Sequence, residues 1–532
     1  MDTQVFDIII VGAGTAGCLL ANRLSQKENL KIALVEAGGN DNYHWIHIPV
    51  GYLYCMGNKK TDWLLKTTKQ NGLNGRSLNY PRGKVMGGCS SINGMIYMRG
   101  QSKDYDHWRQ LGNLGWGWDD VLPYFKKTED NFSGSDQFHG TGGEWRVDKQ
   151  RLSWKVLDDF QDATVQSGIP KIDDFNNGNN FGVSYFKVNQ KNGFRLNSVK
   201  AFIKPIKHRK NLKIFTDCEV SKIIIKNNRS IGVSINSKWK KIDLFSNKEV
   251  ILSSGSIGTP KILELSGIGN PEVLKKNGID IQLESKNVGE NLQDHLQLRV
   301  IYKLQNAETL NEKINSSFGK LKIGMEYFFK RSGPMSMAPS QLGVFAMSDS
   351  SYTMPNLQFH VQPLSLDKFG EPLHKFPGLT ASVCNLNPLS RGSVHINCND
   401  YNAPPEINPN YLSDAIDKKV AAQSIKLARK IINQPAMKKY NPVEYAPGEK
   451  FQTDLDLEKV AGDIGTTIFH PVGTCSMGIH PEAVTGPNLK VKGIDDLRIV
   501  DASIMPTITS GNTNSPTLMI AEKASEMILT DV

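Results

Sequence analysis

A short apolar run followed by three spaced glycines, close to the start of the chain, settles most of what this sequence can become. Phe6 to Val11 is rich in isoleucine and ends at Gly12, the pattern of a strand buried on both faces of a parallel sheet. Thr15 to Ser25 then reads as a helix, Lys31 to Glu36 as a second strand, and Gly38-Gly39 turns the chain, so residues 6–36 make one βαβ unit. Gly12, Gly14 and Gly17 spell G-x-G-x-x-G between the first strand and the helix. The first glycine permits the tight turn, the second lets a pyrophosphate approach the backbone, and the third lets helix pack on strand. Glu36 ends the second strand about 20 positions beyond Gly14, where a carboxylate accepts from ribose hydroxyls and repels a 2′-phosphate. An adenine dinucleotide is therefore expected, and the motif alone does not separate NAD from FAD.

With 532 residues, 39% of them hydrophobic and 22% charged, the chain is long enough for several domain-sized units and ordinary for a globular protein. Its formal net charge of +10 is spread thinly, in small clusters such as KWKK at 238–241. No basic stripe is interleaved with stacking aromatics, which argues against nucleic acid as a partner. Seven cysteines without a C-x-x-C pair argue against a disulfide framework or a zinc site, and no metal is expected. The opening residues lack a basic region with a cleavage site, and the apolar run is far too short to span a bilayer. A cytoplasmic protein is expected, at most peripheral on the inner face of a membrane.

From about 40 to 150 the chain is rich in Gly, Asn, Trp and Tyr with little periodicity, and reads as long irregular connections covering a site. Strand-like runs return at Leu212–Phe215, Val220–Ile225 and Val250–Leu252, the last feeding a turn and helix in GSIGTPKILELSGIG. Residues 300–460 mix strand candidates, Leu357–Val361 and Ser393–Ile396, with a helical stretch near Ala415–Ile432. A strand at Leu497–Val500 and a helix over about Ser515–Leu529 close the chain. Two domains woven together, with the chain returning to the first, account for this order.

Four segments carry chemistry. Beside the N-terminal motif stand PRGKVMGGCSSINGMIYMRG at 81–100, TTIFHPVGTCSMG at 466–478 and TSGNTNSPTLMIAEKA at 509–524. In the first, Gly83, Gly87 and Gly88 permit close backbone approach, and Ser90, Ser91 and Asn93 offer small polar groups to a flat cofactor. With GSIGTPKILELSGIG at 255–269 and VGENLQDH at 288–295, these segments resemble, in order and over the whole chain, the glucose-methanol-choline (GMC) family of FAD-dependent oxidoreductases. FHGTGG (138–143) and SRGSVHI (390–396) are most similar to its choline dehydrogenase and bacterial alcohol dehydrogenase branch.

The resemblance implies an α/β fold, a Rossmann-like FAD-binding domain interleaved with a mixed α+β substrate domain on an antiparallel sheet. The implied division gives residues 1–150, 201–299 and 461–532 to FAD binding, and 151–200 and 300–460 to the substrate domain. It implies oxidation of a primary alcohol, choline among the candidates, to the aldehyde. His470 would take the hydroxyl proton, Asn514 would hold the oxygen, and hydride would pass to the flavin. An imidazole is the side chain whose ordinary pKa supplies a neutral base near pH 7, while an amide orients without basicity. Flavin contacts implied are Gly12, Gly14, Thr15, Ala16, Gly17, Glu36, Ala37, Trp63, Gly83, Val85, Gly88, Asn93, Gly94, Met95, Ile96, Val220, Phe469, Asp501, Ala502 and Thr513, and His360 is a candidate for the substrate pocket. Ile92 stands where some relatives attach flavin through a histidine, so non-covalent FAD is expected. A quaternary ammonium would need aromatic faces or a carboxylate, for which Trp45, Tyr52, Tyr54, Trp63 and Phe345 are candidates. The acceptor, whether quinone, electron-transfer protein or dioxygen, stays open, with a non-oxygen acceptor favoured. The competing activity is a lyase on the same scaffold, a hydroxynitrile lyase or a light-driven decarboxylase.

Overall fold

The computed structural model describes residues 4–237, 240–368 and 370–532; Lys238 and Trp239 of the basic cluster lie outside the described residues. Gln4–Val11 pairs in parallel with Ile32–Val35 on one side and with Lys241–Leu252 on the other. Leu212–Phe215 extends the sheet beyond Ile32–Val35, and Leu497–Ile499 joins Val250–Leu252, both in parallel. An antiparallel pair, Cys218–Lys226 and Arg229–Ser237, completes seven strands. The ends of the central strands that meet the helices, Ile8–Val11 and Val250–Leu252, and all of Ile32–Val35 are apolar and buried, and Thr15–Leu24 and Asn514–Asp531 pack together within that core. Arg23 ties these two helices, donating to Glu522 at 2.9 Å and to Glu144 at 2.6 Å.

A second seven-stranded sheet is antiparallel. Leu296–Lys303 lies between Val443–Ala446 and Gly378–Asn385, followed by Leu357–Gln362, Leu342–Ala346 and Gly182–Tyr185; Gly465–Thr467 pairs with Leu296–Leu298. The pleat sends Leu298, Val300, Phe359, Val361, Ala381 and Val383 into an apolar core shared with the helices Ala415–Ile432 and Asp454–Ile464. The opposite face is polar and turns toward the first sheet. The fold is thus the interleaved α/β arrangement expected.

Two local readings are corrected. The 40–150 segment is not merely irregular: Ser102–Gln110 and Trp118–Thr128 are helices whose Tyr105, Trp108, Trp118 and Phe125 join the first core. The strand expected over Ser393–Ile396 is present as Ser393–His395, paired with Glu406–Asn408 in a small two-stranded sheet. The second sheet also takes strands from spans assigned to FAD binding, since Leu296–Lys303 begins before residue 300 and Gly465–Thr467 lies after 461.

Candidate active site

A cavity of about 460 Å³ lies where strand ends of the first sheet face the polar side of the second. Of the expected cofactor residues, all but Gly17 and Val85 line it, as do His470, Asn514 and His360. A Cβ at Gly17 would sit 1.9 Å from the Gly12 carbonyl, so this glycine is a contact of helix on strand rather than a cavity wall. Val85 is buried with Ile46, Cys55 and Ile92, behind the lining.

At one end the N-terminus of the Thr15–Leu24 helix opens into the cavity through Gly14, Thr15 and Ala16, with no side chain capping it. Its free N–H groups and dipole suit a phosphate. Gly88 faces it with φ +50°, and a Cβ there would lie 2.7 Å from Gly14 Cα, so two backbones meet with no room for side chains. Glu36 accepts from Ala13 N–H at 2.9 Å and Gly38 N–H at 2.8 Å. Burial pushes its carboxyl up to about 7, against those two bonds.

At the other end His470 is held by its backbone: its N–H donates to Asp294 Oδ1 at 2.7 Å. Asp294 Oδ2 also accepts from Tyr80 at 2.8 Å, from Thr467 at 2.6 Å and from Tyr411. The antiparallel register Leu296↔Thr467 brings His295 beside His470, with Nδ1 to Nδ1 at 3.0 Å. His295 Nε2 lies 3.0 Å from the Leu386 carbonyl, which can only accept, so His295 carries its proton on Nε2. Its Nδ1 is then an acceptor, His470 must be protonated on Nδ1, and the lone pair of His470 stands on Nε2. That lone pair faces the amide of Asn512, whose Nδ2 donates to it at 3.0 Å.

The pairing of His470 with Asn514 is therefore corrected to Asn512. Asn514 Oδ1 accepts from Thr15 Oγ1 at 2.8 Å, at the dinucleotide end, and its Nδ2 is buried without a partner among the described residues. Burial holds His470 well below the ordinary histidine range, with the histidines 295 and 360 and Arg82 adding to the effect. His295 is lowered by burial too, and His360 to about 3 by burial and His295. His470 is thus neutral at rest. His360 lines the cavity with Nε2 unpartnered among the described residues, its ring 5.2 Å from Phe186.

A histidine kept neutral by the fold takes up its proton only in the unfolded chain, so its share of stability is complete above about pH 6.5 and is lost as pH falls below that value. His360→Asn should therefore flatten the acid side of the stability curve by about 1.4 kcal/mol per pH unit below pH 6.5 relative to wild type, read by urea unfolding at stepped pH. Parallel curves would show that His360 is not held neutral.

Two family profiles described as GMC oxidoreductase match this chain, an N-terminal one over residues 6–297 and a C-terminal one over 388–521. The chain belongs to the GMC oxidoreductase family. This GMC oxidoreductase is 39% identical over 99% of its length to an alcohol dehydrogenase [acceptor] of Pseudomonas putida, covering 96% of that protein. It is 37% identical over 98% of its length to an oxygen-dependent choline dehydrogenase of Photobacterium profundum, covering 93% of it. Among solved structures, an Aspergillus oryzae formate oxidase variant described for its FAD modification superposes with a TM-score of 0.93 at 26% identity, covering 100% of this chain and 99% of that one.

It is an oxidoreductase of that family, and its cofactor is FAD. The cavity fits that group: with glycine at 14 and 88 no side chain covers the uncapped helix N-terminus where a pyrophosphate would bind, Glu36 offers carboxylate oxygens to a ribose, and the orphaned Asn514 Nδ2 is a donor awaiting an acceptor. Sequence reasoning did not single out Asp294, His295 and Asn512. The first two were visible in the LQDH stretch and the third in NTN, but their contacts are made only by distant pairings.

Proposed function

We propose that the protein oxidises a primary alcohol to the aldehyde, with His470 as base and Asn512 as the group that holds the oxygen. The observation that carries this reading is the Leu386–His295–His470 chain, which fixes a neutral imidazole with its Nε2 lone pair beside an amide donor. Bound FAD supplies the acceptor for the hydride leaving the carbinol carbon. His470 Nε2 takes the hydroxyl proton, and the Asn512 Nδ2–H stabilises the developing alkoxide. Burial makes a lone imidazolium costly here, so proton uptake is coupled to formation of the compensating alkoxide. Ile92, apolar and buried on the cavity wall, offers no nucleophile, in keeping with non-covalent FAD.

For the acceptor we favour a quinone reached at a membrane surface. No helix among the described residues is long and apolar enough to cross a bilayer. The helix Ser317–Lys330, however, exposes Phe318, Leu321, Met325, Phe328 and Phe329 at helical spacing, with Lys320, Lys322 and Lys330 beside them. An apolar stripe among lysines suits the headgroup layer of an anionic bilayer. The same segment runs on to Pro339 and Ser340 of the cavity wall, which supports a placement of the enzyme on the inner face of a membrane.

Anaerobic mixing with primary alcohols tests the chemistry: stoichiometric bleaching of the flavin is expected, and turnover with the flavin remaining oxidised would favour a lyase. Reoxidation should be faster with a quinone in anionic vesicles than with dioxygen. Rapid peroxide formation without a quinone would overturn the acceptor assignment.

A further inference from the structure

The polar face of the second sheet holds a charge for which the chain provides no counterion among the described residues. Arg299, Ser382 and His360 occupy one rung across three adjacent strands, so their side chains share a face and Arg299 stands on the order of 10 Å from His360 along the sheet. Arg299 lines the cavity and is 7% exposed. Its hydrogen bond from Nη2 to the Leu366 carbonyl is long, at 3.5 Å, and its Nε has no partner among the described residues. Arg195, 1% exposed, spends Nη1 on the Ser90 carbonyl and on Asn93 Oδ1 of the cavity wall, leaving Nε and Nη2 unpartnered. Among the described residues no Asp or Glu oxygen lies within 4.0 Å of either guanidinium. Asp367, the acid whose charge reaches Arg299, lies with Oδ1 3.1 Å from His374 Nε2.

Burying an ionised guanidinium without a counterion costs several kcal/mol. Burial accordingly lowers both arginines, each to about 10, which still leaves them charged at neutral pH. The carboxylates of the cavity are Glu36, Glu219 and Asp501, all committed at the dinucleotide end, to backbone N–H groups, to lysines or to Thr259. Near Arg299 the wall offers Gln297 and Gln362, which are neutral. Among the described residues no aromatic cage for a cation forms from the expected set: of Trp45, Tyr52, Tyr54, Trp63 and Phe345 only Trp63 lines the cavity, with Lys84 4.0 Å over its ring, and Phe469 is the other aromatic of the wall.

We propose that Arg299 binds a carboxylate carried by the substrate, so that the alcohols this enzyme takes are hydroxy acids with the hydroxyl and carboxylate at opposite ends. The proposal rests on the alcohol-oxidising reading. A planar guanidinium matches a carboxylate with two parallel hydrogen bonds and fixes the far end of the chain while the hydroxyl reaches His470.

The test is anaerobic flavin reduction by ω-hydroxycarboxylates of graded length, their methyl esters and choline. At the best length the carboxylate should exceed its ester about 100-fold in kcat/KM, with choline below both. R299Q should erase that preference, chiefly by raising KM for the carboxylate, and Arg299→Lys should restore part of it. Unreactive pentanoate should perturb the flavin spectrum of the wild-type holoenzyme and not of R299Q, a reading independent of turnover. Equal rates for carboxylate and ester, or a preference surviving R299Q, would overturn the proposal alone. Failure of every alcohol to reduce the flavin would instead overturn the alcohol-oxidising reading beneath it.

Discussion

Replacing His470 with alanine is expected to slow anaerobic flavin reduction by about 10²- to 10⁴-fold while the protein keeps its fold and its FAD. The loss is that of a general base, since Nε2 is where the relay from Leu386 through His295 leaves a lone pair. The backbone survives the change, because the bond to Asp294 is made by the main-chain N–H of residue 470. Asn512→Ala should cost roughly 10²-fold by removing one donor to the developing oxyanion. Asn514→Ala should instead weaken FAD binding with little effect on the rate of the loaded enzyme, in keeping with its bond to Thr15. Stopped-flow reduction of each purified holoenzyme separates these outcomes. Wild-type rates in the His470 variant, or a larger kinetic defect at Asn514 than at Asn512, would sink the assignment.

Gly88→Ala is expected to weaken FAD binding on the order of 100-fold. The residue has φ +50°, which costs an alanine about 1–2 kcal/mol. A methyl group 2.7 Å from Gly14 Cα adds overpacking of about 1–3 kcal/mol against backbone that has no side chain to move aside. The strain is relieved by pushing the 83–88 loop off the N-terminus of the Thr15–Leu24 helix, the place where phosphate would bind. At about 1.4 kcal/mol per tenfold, the combined cost sets the expected loss. Titration of apoprotein with FAD measures it. Unchanged affinity with only a lowered Tm would show that Gly88 serves folding and not the cofactor.

The parts of this fold readable from the chain are those that local pattern determines. The isoleucine run before Gly12 could be little but a buried strand, and the apolar spacing of Ala415–Ile432 specified a helix to the residue. Leu296–Lys303 and Gly378–Asn385 escaped because central antiparallel strands alternate between a core and a polar cavity face, and the latter here holds Gln297, Arg299 and Ser382. Ser102–Gln110 was hidden for a related reason: only Asp104, Tyr105 and Trp108 are buried on an otherwise polar helix. At the site, which asparagine of NTN meets His470 depends on where the last helix begins. It begins at Asn514, which pins that side chain beside Thr15 and leaves Asn512, two residues earlier, to face the imidazole. His295 meets His470 through a strand register set across more than 170 positions, which no local spacing encodes.

The tie between Thr15 and Asn514, reinforced by that between Arg23 and Glu522, spans 499 positions in each case. The phosphate-cradling turn and the imidazole and amides are therefore drawn from far-separated stretches of the polypeptide and meet only when the fold closes. A chain without the stretch around position 514 is thus a half-built receptacle, and coenzyme capture becomes a report that the two distant stretches have met.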